Sequence, residues 1–239
     1  MSLVDFAQEG TLPKIQLMDI ETLKWIEKNR PNFAKVNPPF TSKILEQVKK
    51  YLPPKQWFLE KDCVDSIHGI RHILRVIANA SNLIFNRKTD LVLARNLLIS
   101  SSLHDLRRKD DKGDEGHAVR ARDWFIENSD EICRYFGLTL LMKDIDEIAN
   151  AIYFHEISYG QILSDNEYLK HKEIIDLLKT ADALDRYRLP KLKWWINDDF
   201  VIVIPDESEK SFAYNLVVNS EENYLSINDS VKSVLNSLL

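Results

Sequence analysis

The 239-residue sequence contains few of the residues that mark cross-linked or loop-rich proteins: two cysteines, six glycines and eight prolines. Cys63 and Cys133 are too few for a disulfide framework and do not have the spacing of a zinc knuckle, so both are expected to be free thiols in a reducing compartment. The chain begins without a signal-peptide pattern, and no uncharged apolar run reaches the ~18 residues that a membrane span needs. We therefore expect a cytoplasmic protein with no membrane partner.

An excess of positive charge is also missing, since 32 Lys and Arg residues face 37 Asp and Glu residues and the net charge is −5. Proteins that bind nucleic acid non-specifically are normally basic, so we do not expect that partner. The chain has neither a glycine-rich phosphate loop of the GxxxxGK[ST] type nor a GxSxG nucleophile elbow. With 44% hydrophobic and 29% charged residues, its composition is that of an ordinary globular protein.

Helical periodicity dominates from about residue 20 to residue 195. It predicts helices over the ranges 20–29, 42–51, 67–86, 90–104, 115–127, 141–157 and 170–188. After Pro190, the β-rich runs FVIVIP (200–205) and AYNLVV (213–218) predict a hairpin, and a last short helix is expected over 227–238. The sequence therefore predicts an all-α fold with a short C-terminal appendage of β-hairpin and helix.

The strongest local signal is the adjacent pair His104-Asp105 at the end of an apolar helix, in SSLHDLRR. Alone, such a pair is better explained by a histidine that interacts with the last carbonyls of a helix. However, His68 and His72 lie four residues apart upstream and share a helical face, and Asp182 lies among apolar residues downstream. Buried imidazoles and carboxylates need partners, and a divalent cation satisfies several of them at once.

The order H…HD…D resembles the HD-domain metal-dependent phosphohydrolases, through the stretches HGIRHILRV, LLISSSLHDL and LLKTADALDRYR, which span about 66–188. The resemblance implies an HD-domain helical bundle and metal ligands at His72, His104, Asp105 and Asp182. In this form of the first motif, His68 would lie near the metal rather than on it. The implied cofactor is a divalent ion (Mn, Fe, Co, Ni, Zn or Mg), with one or two bound.

On this basis three regions are expected. Residues 1–55 form an N-terminal helical segment packed on the core, residues 56–195 form the HD domain, and residues 196–239 form the C-terminal appendage. No linker or internal repeat separates these regions, so we expect one structural unit.

The stretch after the His-Asp pair has a period of its own, because Arg108, Asp111, Asp114 and His117 recur every three residues. It resembles a subgroup of small predicted HD phosphohydrolases with the pattern HDxxRxxDxxDxxH. The HD nucleotidases instead have HDxxE, with a glutamate thought to act on the attacking water, and Arg108 stands at that position here. His68, Asp111 and Asp114 are the remaining candidates for proton transfer, and Arg108 is a candidate for stabilising the phosphoryl oxygens.

A second metal is an open alternative. Some HD proteins use the order H…HD…H…H…D to hold two ions, and His117 and His155 occur in suitable order. The simpler interpretation is that His117 lies in the first turn of its helix and that His155 packs in the core. His171, in the charged run KHKE, is expected at the surface.

The expected function is therefore a phosphohydrolase that acts on a phosphomonoester or phosphodiester, such as a nucleotide or related metabolite. Arg108 and Arg186 are the candidates for binding phosphate, since arginine matches phosphate bidentately. Two alternatives remain: a non-catalytic nucleotide-sensing module, because the HDxxE glutamate is missing, and a di-iron oxygenase with the same kind of six-ligand set. A homodimer is also left open.

Overall fold

The computed structural model describes residues 1–33, 41–198 and 201–239, and throughout these ranges the fold is all-α, without a strand. The described helices are α1 Leu3–Glu9, α2 Ile20–Lys28, α3 Thr41–Lys50, α4 Ile70–Arg87, α5 Leu91–Leu103, α6 His117–Glu127, α7 Ser129–Phe136, α8 Met142–Phe154, α9 Tyr159–Ile162, α10 Asn166–Lys170, α11 Lys172–Leu184, α12 Glu207–Ile227 and α13 Ser230–Asn236.

Helix α4 is the centre of the bundle, and it packs against α3, α5, α11, α12 and α13. Every residue from Ile70 to Ile84 is buried, because α4 is surrounded on all sides rather than exposed on one face. The helix begins after Gly69, where an added Cβ would lie 2.2 Å from the carbonyl oxygen of Val64. Glycine is therefore required at the turn that leads into this helix.

Helix α5 brings the His-Asp pair to the end of the bundle. It begins after Asp90, whose side chain accepts hydrogen bonds from the backbone N–H groups of Val92 and Leu93. It then packs against α4, α8 and α11 and ends at Leu103, directly before His104. The predicted helix over 170–188 corresponds to α11, which begins at Lys172, ends at Leu184 and runs beside α4.

The predicted C-terminal β-hairpin is wrong. Residues 201–205 form no strand, and residues 213–218 lie inside α12, while Phe200 lies outside the described residues. A capping box begins α12: Asp206 accepts from the backbone N–H of Glu209, whose side chain accepts from that of Asp206. Most of the run 213–218 is buried against the bundle, so tertiary packing outweighs its local β preference.

The three expected regions contact one another through their helices. Helix α3 packs on α4, α2 packs on α12, and both α12 and α13 pack on α4. None of the helices in the described ranges combines the length and apolar character that crossing a bilayer requires.

Candidate metal centre

The four ligands that the resemblance implies converge at one end of the bundle. His72 lies in the first turn of α4, His104 and Asp105 directly follow α5, and Asp182 lies in the last turn of α11. The Nε2 atom of His72 is 3.2 Å from His104 Nε2, 3.4 Å from Asp105 Oδ2 and 3.4 Å from Asp182 Oδ1. One cation could therefore contact His72, His104 and Asp182, with Asp105 beside them.

The hydrogen bonds at Nδ1 determine where the protons of the first two imidazoles lie. His104 Nδ1 is 2.9 Å from the carbonyl oxygen of Ser101, which can only accept, so this nitrogen carries the proton. His72 Nδ1 likewise donates to the carboxylate of Asp185, over 2.8 Å. In the neutral rings the two Nε2 lone pairs therefore face each other. This arrangement is repulsive unless a cation lies between them.

A second pair of imidazoles has the same arrangement. His117 begins α6 and His155 directly follows α8, and their Nε2 atoms are 3.1 Å apart. His155 Nδ1 donates to the carbonyl of Ile152, and His117 Nδ1 lies 2.8 Å from the carbonyl of Asp114 and 2.6 Å from Glu156 Oε2. The Nε2 atoms of His117 and His155 thus lie close together, and Arg108 Nη1 is 3.2 Å from that of His117.

Asp105 lies between the two pairs. Its Oδ2 faces His72, whereas its Oδ1 is 3.1 Å from His117 Nε2 and 3.5 Å from His155 Nε2. The groups His72–His104–Asp182 and His104–Asp105–His155 each bring their ligand atoms close enough to hold an ion. Asp105 thus directs one carboxylate oxygen toward each imidazole pair.

The pKa values distinguish the two pairs. Burial lowers the pKa of His104 to about 3, outweighing the attraction of Asp105 for a proton. Burial also disfavours the charged form of His117, but Asp105 and Glu156 outweigh it and raise its pKa to about 9. In the metal-free protein, a proton therefore occupies the second pair near neutral pH, whereas His104 has none to relieve the repulsion at the first pair.

Sequence reasoning missed Asp185, which orients His72 and lies one helical turn after Asp182. Its fully buried carboxylate accepts from His72 and from Arg75 Nε at 2.6 Å, and it forms an ion pair with Arg188 at 3.2 Å. Burial alone would raise the pKa of Asp185, but Arg75 and Arg188 outweigh it and lower that pKa to about 2. Asp185 is thus a permanent acceptor that keeps the proton of His72 on Nδ1 and leaves Nε2 free for a metal.

A pocket of about 630 Å³ is lined by Asp105, Asp182, His117 and His155, whereas His72 and His104 are buried outside its lining. The predicted phosphate-binding residues Arg108 and Arg186 both line this pocket. Contacts with the protein fix them there: Arg186 Nε donates to the Trp194 carbonyl at 2.5 Å, and Arg108 Nη1 lies 3.4 Å from Asp105 Oδ1. Lys112 and Lys191 also line the pocket. The pocket lining therefore combines cationic side chains with several of the candidate metal ligands.

His68 and Asp111 form a pair at the edge of this pocket. His68 Nδ1 is 3.0 Å from Asp111 Oδ1, which also accepts from the Ser66 hydroxyl, and Asp111 Oδ2 accepts from the backbone N–H of Gln16. Burial, and next the positive charge of Arg108, hold the pKa of His68 well below its usual value. A neutral His68 that donates to Asp111 keeps Nε2 available to accept a proton.

Asp114, the other residue expected to handle protons, has a different environment. It accepts from the backbone N–H of Lys109 at 2.7 Å and pairs with Arg120, and it is outside the pocket lining. Its geometry supports a role in holding the loop that precedes His117 rather than in proton transfer.

The prediction that His171 is exposed is wrong. It is only 8% exposed, because it lies between α10 and α11 and directs Nε2 toward Asp146 Oδ2 on α8, at 3.2 Å. With Glu167 and Asp146 it forms a third group whose atoms are close enough for an ion, but the ammonium group of Lys170 already lies 2.6 Å from Asp146.

No family model, curated protein or solved structure matches this chain. The chemistry of the donor set must therefore identify the cofactor class. Imidazole nitrogens combined with carboxylate oxygens suit Mn, Fe, Co, Ni and Zn better than Mg, which prefers all-oxygen coordination.

Proposed function

We propose that this protein is a metal-dependent phosphohydrolase of the HD-domain superfamily, acting on a phosphomonoester or phosphodiester such as a nucleotide. The observation that carries the proposal is the arrangement of two imidazole pairs, each with facing Nε2 atoms, on either side of Asp105. The cationic wall of the adjoining pocket supports an anionic substrate.

In this proposal His72, His104 and Asp182 would hold one ion, and His117 and His155 would hold another. Asp105 lies between the two sets of ligands. When bound, such ions lower the pKa of a water molecule and neutralise the charge that develops on a phosphoryl group. The ligands' own contribution is preorganisation, because Nδ1 of each imidazole is already directed toward an acceptor.

The remaining polar side chains bind the substrate and move protons. Arg108 and Arg186 offer guanidinium groups to the phosphate oxygens, which they can bind bidentately. His68 accepts or donates a proton at Nε2, since its Nδ1 is directed to Asp111. Asp111 acts through His68, because its own oxygens already accept from Ser66 and Gln16.

The second imidazole pair also keeps the di-iron oxygenase as a rival, since that class uses a set of six ligands of this kind. The two proposals differ in the ion and in the co-substrate. An oxygenase would retain iron and consume oxygen, whereas a phosphohydrolase would release phosphate without oxygen. A sensing module would bind a nucleotide and be stabilised by it without turnover.

The test is a phosphate-release screen on metal-free protein reloaded with Mn²⁺, Co²⁺, Ni²⁺, Zn²⁺ or Mg²⁺, across nucleotides and sugar phosphates. We expect turnover that a chelator abolishes and that His72→Ala and Asp182→Ala each remove. His171→Gln is the matched control, because it also removes a buried imidazole but lies outside the pocket. Full turnover in His72→Ala and Asp182→Ala would contradict the proposal.

A further inference from the structure

No sequence motif assigns a role to Glu221, a buried carboxylate on α12. Glu221 is 1% exposed and accepts from Arg71 Nε at 2.9 Å and from Arg75 Nη1 at 2.6 Å. Both arginines belong to α4, and both are fully buried. Burying charges costs more free energy than burying apolar side chains of the same size, so a stable bundle does not need this cluster.

Arg75 extends the cluster to the metal centre. Besides Glu221, it contacts Asp185 twice: Nε donates to Oδ1 at 2.6 Å and Nη2 lies 3.2 Å from Oδ2. Asp185 Oδ2 in turn accepts from His72 Nδ1 at 2.8 Å. An unbroken series of charged hydrogen bonds therefore connects α12 to a candidate metal ligand.

We propose that Glu221 is a positioning residue for the metal centre and acts through Arg75 and Asp185 on His72. This inference rests on the metal-binding part of the proposed function. Arg75 divides its donors between two carboxylates, and without Glu221 its fully buried Nη1 group would lose its charged partner. Arg75 would then shift, and the oxygen that fixes the ring and proton of His72 would shift with it.

Through Glu221, the C-terminal region would contribute to the metal centre. Glu221 belongs to α12, beyond the stretch that resembles the HD proteins, and the Arg71 that fixes its other oxygen also contacts Ser230 of α13. The two C-terminal helices thus complete the environment of His72 rather than only covering α4.

Helices α4 and α12 also provide a matched control. Glu209 is also on α12 and 1% exposed, and it pairs with Arg87 at the other end of α4. Arg87 lies about 22 Å from His72 along the helix, at about 1.5 Å per residue. Glu209→Gln therefore removes a buried carboxylate from the same pair of helices without touching the series that leads to His72.

The experiment measures Co²⁺ affinity of the full-length, metal-free protein by competition with a chelator, together with the melting temperature. We expect Glu221→Gln to weaken binding of the first equivalent of Co²⁺ about tenfold, the low end of the range for outer-shell partners, and Asp185→Asn to weaken it at least as much. Glu209→Gln should lower the melting temperature to a similar extent yet keep wild-type Co²⁺ affinity. Glu221→Asp, which preserves the charge, should recover part of the loss and replaces Glu221→Gln if that variant does not fold.

Two results would overturn the inference while leaving the proposed function intact: Co²⁺ affinity in Glu221→Gln equal to that of the wild type, or an equal loss of affinity in Glu209→Gln. The second would mean that general destabilisation, rather than the series through Arg75, weakens the site. A wild-type protein that binds no Co²⁺ would instead contradict the proposed function, and this inference with it.

Discussion

Metal binding at the second imidazole pair should release a proton. The pKa of His117 is raised to about 9, so this ring is protonated at neutral pH in the metal-free protein, whereas a metal needs the neutral ring. At pH 7, about two units below this pKa, removing the proton costs about 1.36 kcal/mol of binding free energy per unit. The apparent affinity of this site should therefore rise about tenfold per pH unit near pH 7 and about 50-fold in total between pH 7 and pH 9.

Calorimetric titration with Mn²⁺ at several pH values between about 6.5 and 8.5, in buffers of different ionisation enthalpy, measures both the affinity and the protons released. We expect about one proton per ion at the second site, from His117. His104, with a pKa of about 3, has no proton to release in this range. His117→Gln should remove both the proton release and the steep pH dependence. An affinity that does not change with pH in the wild type would refute the reasoning.

The same pKa predicts how the metal-free protein responds to pH. The pKa of His117 is higher in the folded chain than its usual 6.5, so protonation of this ring stabilises the folded state. This contribution to the free energy of unfolding is fully present below pH 6.5 and is lost as pH rises through about 9. The loss should approach about 3 kcal/mol, since the shift is about 2.5 units. Denaturant unfolding at the two ends of this range measures it, with His117→Gln as the control that should show no such loss.

Three further predictions concern the supports of the site and the pocket wall. Lys179 donates to three carbonyls at and after the end of α8, so Lys179→Met should cost about 1–3 kcal/mol in denaturant unfolding, and unchanged stability would contradict this role. Gly69→Ala should cost about 1–3 kcal/mol, because its Cβ would meet the Val64 carbonyl, whereas Gly160→Ala, with no described atom within 4 Å, should be tolerated. Arg186→Ala should raise KM for a phosphate ester with little change in kcat, and steady-state kinetics that show the reverse would exclude a binding role.

The side chains of the candidate site could be predicted from sequence because they are local features of helices. His104 and Asp105 are adjacent at the end of an apolar helix, and His72 lies in the first turn of α4. The predicted helix over 67–86 begins only at Ile70, so His68 lies before it and does not share a helical face with His72. The convergence of the other three candidate ligands with Asp182 could be expected only from the resemblance, since helical periodicity indicates which face is buried and not which helix it meets.

The buried charged residues that hold His72 in place could not be predicted in this way. Arg75 meets Asp185 across 110 residues of chain and Glu221 across 146, and no sequence spacing encodes such pairs. Likewise the run AYNLVV has the composition of a strand, and only the capping box at Asp206 and burial against α4 make it helical. His171 was expected in solvent because its neighbours are charged, yet a contact with Asp146 of another helix buries it.

The most direct test of the account is the metal content of the purified protein after loading with Mn²⁺ or Co²⁺ and removal of the excess. Two imidazole pairs that share Asp105 predict about two ions per chain in the wild type and about one in His155→Ala, which loses half of the second pair. A wild-type chain that retains no ion would contradict the central claim.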